Sequence, residues 1–321
     1  MSANKQAFAK LSSEIASLPF SLSFEWWNEV VKDQWDVAIV EEKGKVKAAW
    51  PYYKRSKGPW TMLCQPAFTP YGGPIYHYPE DQKIERRHSL EQKLTEKLIQ
   101  KLPAYSELEI NCQVGLKNTL PFIWAGFEDR KRFTYLLDLD QTEAEIWGNF
   151  RENIRRQIRK AEKSITVEPS DDPNLLERML RSTFEGQATS YPIQDAKVYE
   201  RILKYIAKYH CGGLLKAVDK DHHEHACILW LHDEHSAYYL IGGANQNFKN
   251  SGAMSLLMWQ AIKNSKSVSL EDERNLKNFN FEGSMIPAIE KYLRGFGGDL
   301  VPYSCLYSCE SRGLKIARKL I

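Results

Sequence analysis

The feature that most constrains this chain of 321 residues is one order of helices and strands that its sequence predicts twice. Apolar residues in alternation predict strands, and apolar residues three or four positions apart predict amphipathic helices. Each half gives helices, three short strands joined by tight turns, a helix, a strand, a helix and a strand. This order predicts an α/β (α+β) fold class, with a mixed, largely antiparallel sheet flanked by helices in each half.

The first half is dominated by strand patterns. A Gly turn at Gly44 joins two β-rich segments, residues 35–40 and 45–53, and predicts a hairpin. The other elements predicted in this half are a strand at 60–64, an amphipathic helix at 81–101, and strands at 106–112 and 132–139.

The second half repeats this plan after a polar stretch at residues 140–143. The predicted helices span about 142–163, 175–187, 195–209, 252–264 and 284–294, and the predicted strands span 165–168, 213–218, 225–231, 236–242, 267–270 and 299–308. The polar stretch is the expected boundary, so the predicted domains are residues 1–141 and 142–321.

Composition excludes some classes of function. The chain carries 44 basic and 41 acidic residues, and this balance of charge argues against a DNA-binding protein. Six scattered cysteines without a CxxC pair indicate reduced thiols and a cytoplasmic protein. The N-terminus shows no signal peptide, and no apolar run reaches the roughly 18–20 residues of a membrane span. Peripheral membrane contact stays open.

Three segments of the second half carry a family resemblance. They are Arg151 to Lys163, Tyr239-Leu-Ile-Gly-Gly-Ala244 with the following Ser251 to Ile262, and Phe279-Asn-Phe-Glu-Gly-Ser284 with the following Ile289 to Gly298. Together they resemble the Fem-type branch (FemA, FemB and FemX) of the GNAT acyltransferase superfamily, and the loop Thr69-Pro-Tyr-Gly-Gly-Pro74 is also similar to that group. The chain lacks the coiled-coil arm of some members and resembles the compact ones.

This resemblance implies two tandem GNAT-like domains, the second of which carries most of the site. The implied reaction is attack by an amine on an ester or thioester carbonyl, without a covalent enzyme intermediate. The implied donor is aminoacyl-tRNA or acetyl-CoA, with no tightly bound cofactor, and the implied acceptor is an amine of a small molecule or a cell-wall precursor. Two rivals remain: an acetyl-CoA-dependent N-acetyltransferase, and a non-catalytic binding module on the same fold.

The basic segment is the strongest local charge feature. Arg151, Arg155 and Arg159 are four residues apart and so share one face of a helix. Guanidinium groups offer two-pronged donors that suit phosphate, so Arg155 and Arg159 are candidate ligands for tRNA or another phosphate-bearing substrate. The alternative is an ordinary solvated helix face.

The segment Gln246 to Ala253 corresponds to the loop whose backbone amides bind the pyrophosphate of coenzyme A in related acetyltransferases. Gly252 and Ala253 begin the following helix, whose first N–H groups attract anions. A single Gly in this loop weakens the coenzyme A interpretation. Alternatively, Ser251 caps the helix.

The segment Phe279 to Ser284 supplies a candidate general base. Strand alternation places Asn280 and Glu282 on one face and both Phe residues on the other. Glu282 could then accept the proton of the amine, or it could cap the helix expected near Ser284. The family strand usually has Asp where this chain has Asn280, so a carboxylate base is excluded at that position.

Two tyrosines complete the candidate site. Tyr239 lies in the last strand of the second three-strand set, where the resemblance implies that strands separate to admit the acyl donor. Its hydroxyl could donate to the leaving group, or it could be a core aromatic. Tyr71, between Pro70 and Gly72, is either a wall of the acceptor pocket or part of the turn.

A histidine-rich stretch around His222, His223 and His225 has no zinc-ligand spacing. It is interpreted as a polar hairpin turn, and no metal is expected in this protein.

Overall fold

A computed structural model describes residues 1–15, 17–79, 81–185, 197–271, 276–283 and 285–319. These residues form two compact units. Unit 1 contains residues 1–132 and 302–321, and unit 2 contains residues 133–301.

The described residues form helices and strands with the following bounds. The helices are α1 (Ala3–Glu14), α2 (Phe24–Trp26), α3 (Ile84–Lys101), α4 (Leu120–Trp124), α5 (Glu143–Asn149), α6 (Glu152–Ala161), α7 (Pro173–Phe184), α8 (Lys197–Tyr209), α9 (Ala253–Glu271), α10 (Pro287–Leu293) and α11 (Arg312–Lys319). The strands are β1 (Trp35–Glu42), β2 (Lys45–Lys57), β3 (Trp60–Cys64), β4 (Ile75–Tyr76), β5 (Glu107–Asn111), β6 (Glu128–Asp138), β7 (Ile165–Ser170), β8 (Gly212–Asp219), β9 (Glu224–His232), β10 (Ser236–Ala244), β11 (Asn278–Asn280) and β12 (Asp299–Cys309).

Unit 1 is built on the strand order β1-β2-β3-β5-β12, with β4 paired to β2. All neighbours are antiparallel except β3 and β5, which run parallel. One face buries an apolar core that includes Trp50, Leu94, Leu98, Leu108 and Phe122. The four-residue spacing of the two leucines places them on the inner side of α3, as its sequence predicts.

Unit 2 has the strand order β6-β11-β10-β9-β8-β7. Strands β7 to β10 form an antiparallel set, and β11 pairs parallel to β10 and antiparallel to β6. Its core lies between the sheet and helices α5, α6 and α9, and it includes Phe150, Ile158, Trp259, Phe279 and Phe281.

One predicted helix is two. The expected helix at 142–163 is interrupted after Asn149, and α6 begins at Glu152. The interruption has a tertiary cause, because the Arg151 N–H donates to the Gly295 carbonyl at 2.8 Å and Phe150 is buried. A helical Arg151 N–H would instead bond four residues back along the chain.

The strand predicted at 267–270 is wrong. These residues continue α9, which ends at Glu271. The helix is held there by Lys266, whose Nζ donates to the carbonyls of Leu139 (2.7 Å) and Gln141 (2.5 Å). The strand that follows α9 is the short β11.

The chain leaves unit 1 within β6 and returns to it within β12, so the compact units divide it at 132/133 and 301/302. The domain bounds 1–141 and 142–321 stay a prediction. The return has a simple reason: Cys305–Cys309 pairs with Glu107–Asn111 and completes the first sheet.

No helix among the described residues is long and apolar enough to cross a membrane. All six cysteines are free thiols; five are buried and Cys64 is half-buried.

Candidate active site

The most distinctive feature of unit 2 is the separation of two parallel strands. Ser236–Tyr238 of β10 pairs with Asn278–Asn280 of β11, and the pairing stops there although β10 continues to Ala244. Beyond Asn280 the chain turns toward β6, since the Phe281 N–H donates to the Tyr135 carbonyl at 3.1 Å. The edge of β10 after Tyr238 therefore has no strand beside it among the described residues, as the family resemblance implies for the acyl-donor site.

Two glycines and a bulge shape this free edge. The register between β9 and β10 shifts between Tyr239 and Ile241, which bends the strand. A Cβ on Gly242 would lie 2.9 Å from the Tyr239 hydroxyl, and one on Gly243 would lie 2.5 Å from the backbone of Met179 in α7. The edge ends at Ala244, whose N–H donates to the Thr183 hydroxyl of α7 at 2.9 Å. Gly242 thus leaves room for Tyr239, and Gly243 lets α7 approach.

Asn280 holds the turn that follows β11. Its Oδ1 accepts hydrogen bonds from the Thr134 hydroxyl at 2.7 Å and from the Glu282 N–H at 2.8 Å. Only 3% of Asn280 is exposed. The amide oxygen accepts the bonds that a carboxylate could also accept, so the change from the family's usual Asp keeps the backbone function of this position.

Glu282 projects from this turn in a left-handed conformation (φ +61°). Its Oε1 is buried and has no hydrogen-bond partner among the described residues. Burial raises the pKa of this carboxyl well above its ordinary value. Helix α10 begins at Pro287, and its N-cap Ile286 makes no side-chain cap, so Glu282 does not cap it. A carboxyl with a buried, unpaired oxygen and a raised pKa has the properties of a general base or acid.

The turn after β11 requires glycine at position 283. A Cβ at this position would lie 2.0 Å from the Phe133 carbonyl oxygen, and its φ is +60°. The turn therefore sits directly against the β6 backbone, which fixes the position of Glu282.

A cleft of about 250 Å³ lies where β10 leads into α9. Its lining residues are Gln157, His225, Ala226, Ala244, Phe248, Lys249, Asn250, Ser251, Gly252, Ala253, Met254, Ser255 and Tyr292. Both predicted anion-binding residues, Gly252 and Ala253, are among them.

The loop before α9 keeps part of its backbone free. The amides of Phe248 and Ser251 bond within the loop, and the Ser251 hydroxyl accepts the Ala253 N–H at 3.3 Å. The N–H groups of Asn250, Gly252 and Met254 have no hydrogen-bond partner among the described residues. The Ser251 cap and a capacity to bind an anion therefore coexist at this helix start.

Gly252 is required by packing. Its φ is +87°, and a Cβ would lie 2.4 Å from the Gln157 carbonyl oxygen of α6. Two further contacts join α6 to the loop and to α9: Lys160 Nζ donates to the Asn250 carbonyl at 2.8 Å, and the Ser255 hydroxyl donates to Gln157 Oε1 at 2.7 Å. The basic helix is thus fixed against the loop.

The predicted cations of α6 are partly neutralised. Ile154 and Ile158 face the core and leave the Arg residues outside. Arg155 and Arg159 share one carboxylate, Glu152, at 2.7 and 3.4 Å. The residue that α6 contributes to the cleft is Gln157, and neither Arg155 nor Arg159 lines it. Their role in phosphate binding stays a prediction.

Tyr292 of α10 is a site residue that the sequence reasoning missed. It lines the cleft, and its buried hydroxyl lies near Ser255, which also lines the cleft. Burial raises the pKa of both Tyr292 and Tyr239, and the nearby Tyr292 hydroxyl raises the pKa of Tyr239 further. Both phenols are therefore protonated at neutral pH and can donate a proton. Tyr292 lies in the segment Ile289 to Gly298 that carries the family resemblance, but nothing in that segment marked it as a site residue.

Tyr71 belongs to unit 1, where only 3% of it is exposed. Its ring packs edge-on against Tyr303 at 5.6 Å between centroids. These surroundings favour the packing role over the pocket wall.

The histidine-rich stretch is the turn between β8 and β9, as predicted. Burial opposes ionisation of Asp219, but hydrogen bonds from the His223 and Asp221 N–H groups and from the rings of His225 and His223 hold its pKa well below the ordinary range. His225 also stacks on Phe248 at 4.0 Å and lines the cleft, which its sequence context did not indicate.

Known protein families and solved structures resemble this chain. Residues 148–271 match the acetyltransferase (GNAT) domain family. No curated protein sequence matches the chain. FemX is structurally similar, with a TM-score of 0.67 and 14% identity over 99% of this chain and 98% of that chain.

Two other solved structures are also similar. The C-terminal domain of a protein assigned as a lysylphosphatidylglycerol synthetase from Agrobacterium fabrum has a TM-score of 0.56 and 12% identity, over 99% of this chain and 95% of that one. A tandem GNAT protein from the clavulanic acid biosynthesis pathway has a TM-score of 0.52 and 10% identity, over 94% and 92%. The resemblance inferred from the sequence is confirmed at the level of fold: this chain has the Fem-like form of the tandem GNAT fold, and part of its second half matches the GNAT acetyltransferase domain family.

Proposed function

We propose that this protein transfers an acyl or aminoacyl group from an activated ester or thioester to a primary amine, by direct attack and without a covalent enzyme intermediate. The observation that carries the proposal is the free edge of β10 together with Glu282, which has a buried, unpaired carboxyl oxygen and lies two residues after the end of the neighbouring strand β11. A free strand edge offers backbone N–H groups to a carbonyl oxygen, and a buried carboxyl at the end of the neighbouring strand offers a base.

In the proposed reaction, the acyl carbonyl of the donor lies along β10 between Tyr239 and Gly243. Glu282 accepts a proton from the attacking amine, whose nitrogen forms the new bond to the carbonyl carbon. The oxyanion of the tetrahedral intermediate is stabilised by N–H groups of the β10 edge. The C–O or C–S bond to the leaving group then breaks, the phenol of Tyr292 or Tyr239 donates a hydrogen bond to the leaving group, and the proton that Glu282 accepted from the amine is the one that the leaving group takes up.

The donor is proposed to carry phosphate. Three unpaired backbone N–H groups at residues 250, 252 and 254 line the cleft, and helix N-termini favour phosphate. Aminoacyl-tRNA and acetyl-CoA both satisfy this chemistry, and both remain proposals. The acceptor is proposed to be an amine of a small molecule or a cell-wall precursor, in a cytoplasmic setting that suits free thiols.

An acetyl-CoA-dependent N-acetyltransferase is the second candidate. The free loop amides favour it, because they occupy the position that the resemblance assigns to coenzyme A pyrophosphate. The single Gly of the loop, which is already packed against α6, favours the first candidate.

The test is a thermal-shift titration with acetyl-CoA, CoA and aminoacyl-tRNA as separate ligands. A ligand at 100 times its Kd stabilises the native state by about 2.7 kcal/mol. A shift with the CoA compounds alone supports the N-acetyltransferase, and a shift with charged tRNA alone supports aminoacyl transfer. Absence of any shift and of any acyl transfer to an amine mixture by the wild type would leave a binding module as the better description.

A further inference from the structure

Unit 1 contains a second cleft, of about 750 Å³, for which the proposed reaction has no use. Its lining residues are Arg55, Lys57, Trp60, Met62, Leu63, Cys64, Gln65, Glu107, Glu109, Asn111, Arg132 and Leu314. This volume lies in the range of small-molecule sites, which is about 300–1,000 Å³.

The register of three strands explains how the cleft is formed. Arg55 of β2 lies opposite Met62 of β3, and Met62 lies opposite Glu107 of β5. Lys57 lies opposite Trp60 at the end of the same hairpin. Directly opposite residues share a face of a sheet, so these side chains form one surface, on the side away from the core that buries Leu63 and Leu108.

The acidic groups of this surface are already engaged. Glu109 pairs with Arg132 at 2.7 Å. Glu107 is 2% exposed and accepts a hydrogen bond from the Tyr307 hydroxyl at 3.2 Å. Burial raises the pKa of the Cys64 thiol, which adds no negative charge at neutral pH.

The two outer cations are different. Arg55 and Lys57 are exposed, lie two residues apart on the same side of β2, and have no ion-pair or hydrogen-bond partner among the described residues. The free charge of the cleft is therefore positive. Beside them, Trp60 and Met62 join an apolar cluster with Leu314 of α11, so an apolar surface adjoins the two cations.

We propose that this cleft binds a small organic anion. Its phosphate or carboxylate lies between Arg55 and Lys57, and its apolar part lies on Trp60, Met62 and Leu314. Arg offers a two-pronged donor and Lys a second positive charge, while the indole ring gives a flat apolar contact. The site is separate from the residues proposed for catalysis, and its occupancy does not depend on the proposed reaction.

The test observes Trp60 directly in the full chain. The protein is labelled with 5-fluorotryptophan, and the ¹⁹F resonance of Trp60, one of nine tryptophans, is assigned by its loss in Trp60→Phe. Phenyl phosphate, benzoate and neutral benzyl alcohol are titrated separately. We expect the Trp60 resonance to shift with at least one of the two anions, and not with benzyl alcohol at equal concentration.

Two double variants decide the role of the cations. Arg55→Ala with Lys57→Ala is expected to raise the Kd of the anion at least tenfold, and added salt is expected to weaken binding to the wild type. Lys43→Ala with Lys45→Ala, at the exposed β1–β2 turn, is the matched control and is expected to leave the Kd unchanged. A shift with phenyl phosphate alone identifies a phosphate ligand, and one with benzoate alone identifies a carboxylate. No shift with either anion, an equal shift with benzyl alcohol, or an unchanged Kd in the Arg55 and Lys57 variant would overturn the proposal.

Discussion

The two units contain the same parallel strand pair and use its end differently. In unit 1, β3 and β5 pair over Met62–Cys64 and Glu107–Glu109; in unit 2, β10 and β11 pair over three residues as well. Beyond the pair in unit 1, the Gln65 side chain accepts the Asn111 N–H at 3.2 Å and donates to the Thr69 carbonyl at 2.5 Å.

A second bond completes this closure, since the Gly72 N–H donates to the Asn111 carbonyl at 2.7 Å. The loop of unit 1 thus bonds both backbone groups of Asn111 at the end of β5, whereas in unit 2 no described strand lies beside β10 after Tyr238. A short parallel pair is compatible with either outcome, and the segment that follows it decides whether a substrate can enter. This comparison supports placing the proposed chemistry in unit 2.

The largest effect is expected from Glu282→Gln. Loss of a general base lowers turnover by about 10²–10⁴-fold. The matched control is Glu109→Gln, a carboxyl on the corresponding strand of unit 1, which is expected to keep turnover within about twofold of wild type. The assay is steady-state acyl transfer with the donor identified by thermal shift. Equal turnover in Glu282→Gln and wild type would remove Glu282 from the mechanism.

The same variant has a second readout, the pH dependence of stability. The pKa of Glu282 is raised in the folded state, so the native protein binds this proton more tightly than the unfolded chain. Wild-type stability therefore falls as pH rises from the ordinary glutamate range through the raised pKa. Because Gln cannot ionise, Glu282→Gln is expected to gain stability relative to wild type across that window. Tm measured for both proteins from pH 4 to pH 9 tests this, and a difference that stays constant with pH contradicts it.

The next effect is expected from Gly252→Ala, which forces a Cβ against the Gln157 carbonyl at 2.4 Å. We expect a loss of about 3 kcal/mol in the free energy of unfolding, because both the positive φ and the backbone contact oppose the substitution. Gly44→Ala in unit 1 is the control. Its φ is +71° with nothing within 4 Å, so it should lose only about 1 kcal/mol. Urea unfolding measures the loss of stability in both variants. Equal losses would show that α6 and the loop before α9 move apart easily to accommodate the added Cβ.

A third pair of variants compares the segments that follow the two strand pairs. Asn280→Ala removes the acceptor that holds Thr134 and Glu282, and it should cost about 1–3 kcal/mol in stability and lower turnover. Gln65→Ala removes the bonds to Asn111 and Thr69 and should cost a similar amount in stability without loss of turnover. Chemical denaturation and the transfer assay on both variants give the comparison. Loss of turnover in Gln65→Ala, corrected for the folded fraction, would assign the unit 1 loop to catalysis.

The smallest effect is expected from Arg155→Ala with Arg159→Ala. Because both cations share Glu152, we expect only about a three- to tenfold weaker donor affinity, with a reduced dependence on salt. Arg178→Ala with Arg181→Ala on α7, two exposed cations also paired to carboxylates, is the control. Donor titrations at several salt concentrations measure the effect. If donor affinity depends on salt equally in both double variants, the arginines of α6 are an ordinary solvated helix face.

Much of the fold could be predicted because its signals are local. The strand at Trp60–Cys64 has the bounds that its sequence predicts, and the hairpin around Gly44 forms at its turn. The element order, together with motifs such as Phe279 to Gly283, also indicated the family. The alternation of apolar residues and the preferences of turn residues depend on neighbours in sequence, so they can be recognised in the sequence alone.

The tertiary structure alone decided the remaining features. Helix 142–163 breaks because Gly295 takes the Arg151 N–H, and α9 runs through the predicted strand at 267–270, where Lys266 bonds to Leu139 and Gln141. Burial, and not its neighbours in sequence, makes Glu282 and Tyr292 chemically unusual. Local patterns determine which elements form, whereas desolvation and long-range backbone contacts arise only after those elements pack, and these features made the site.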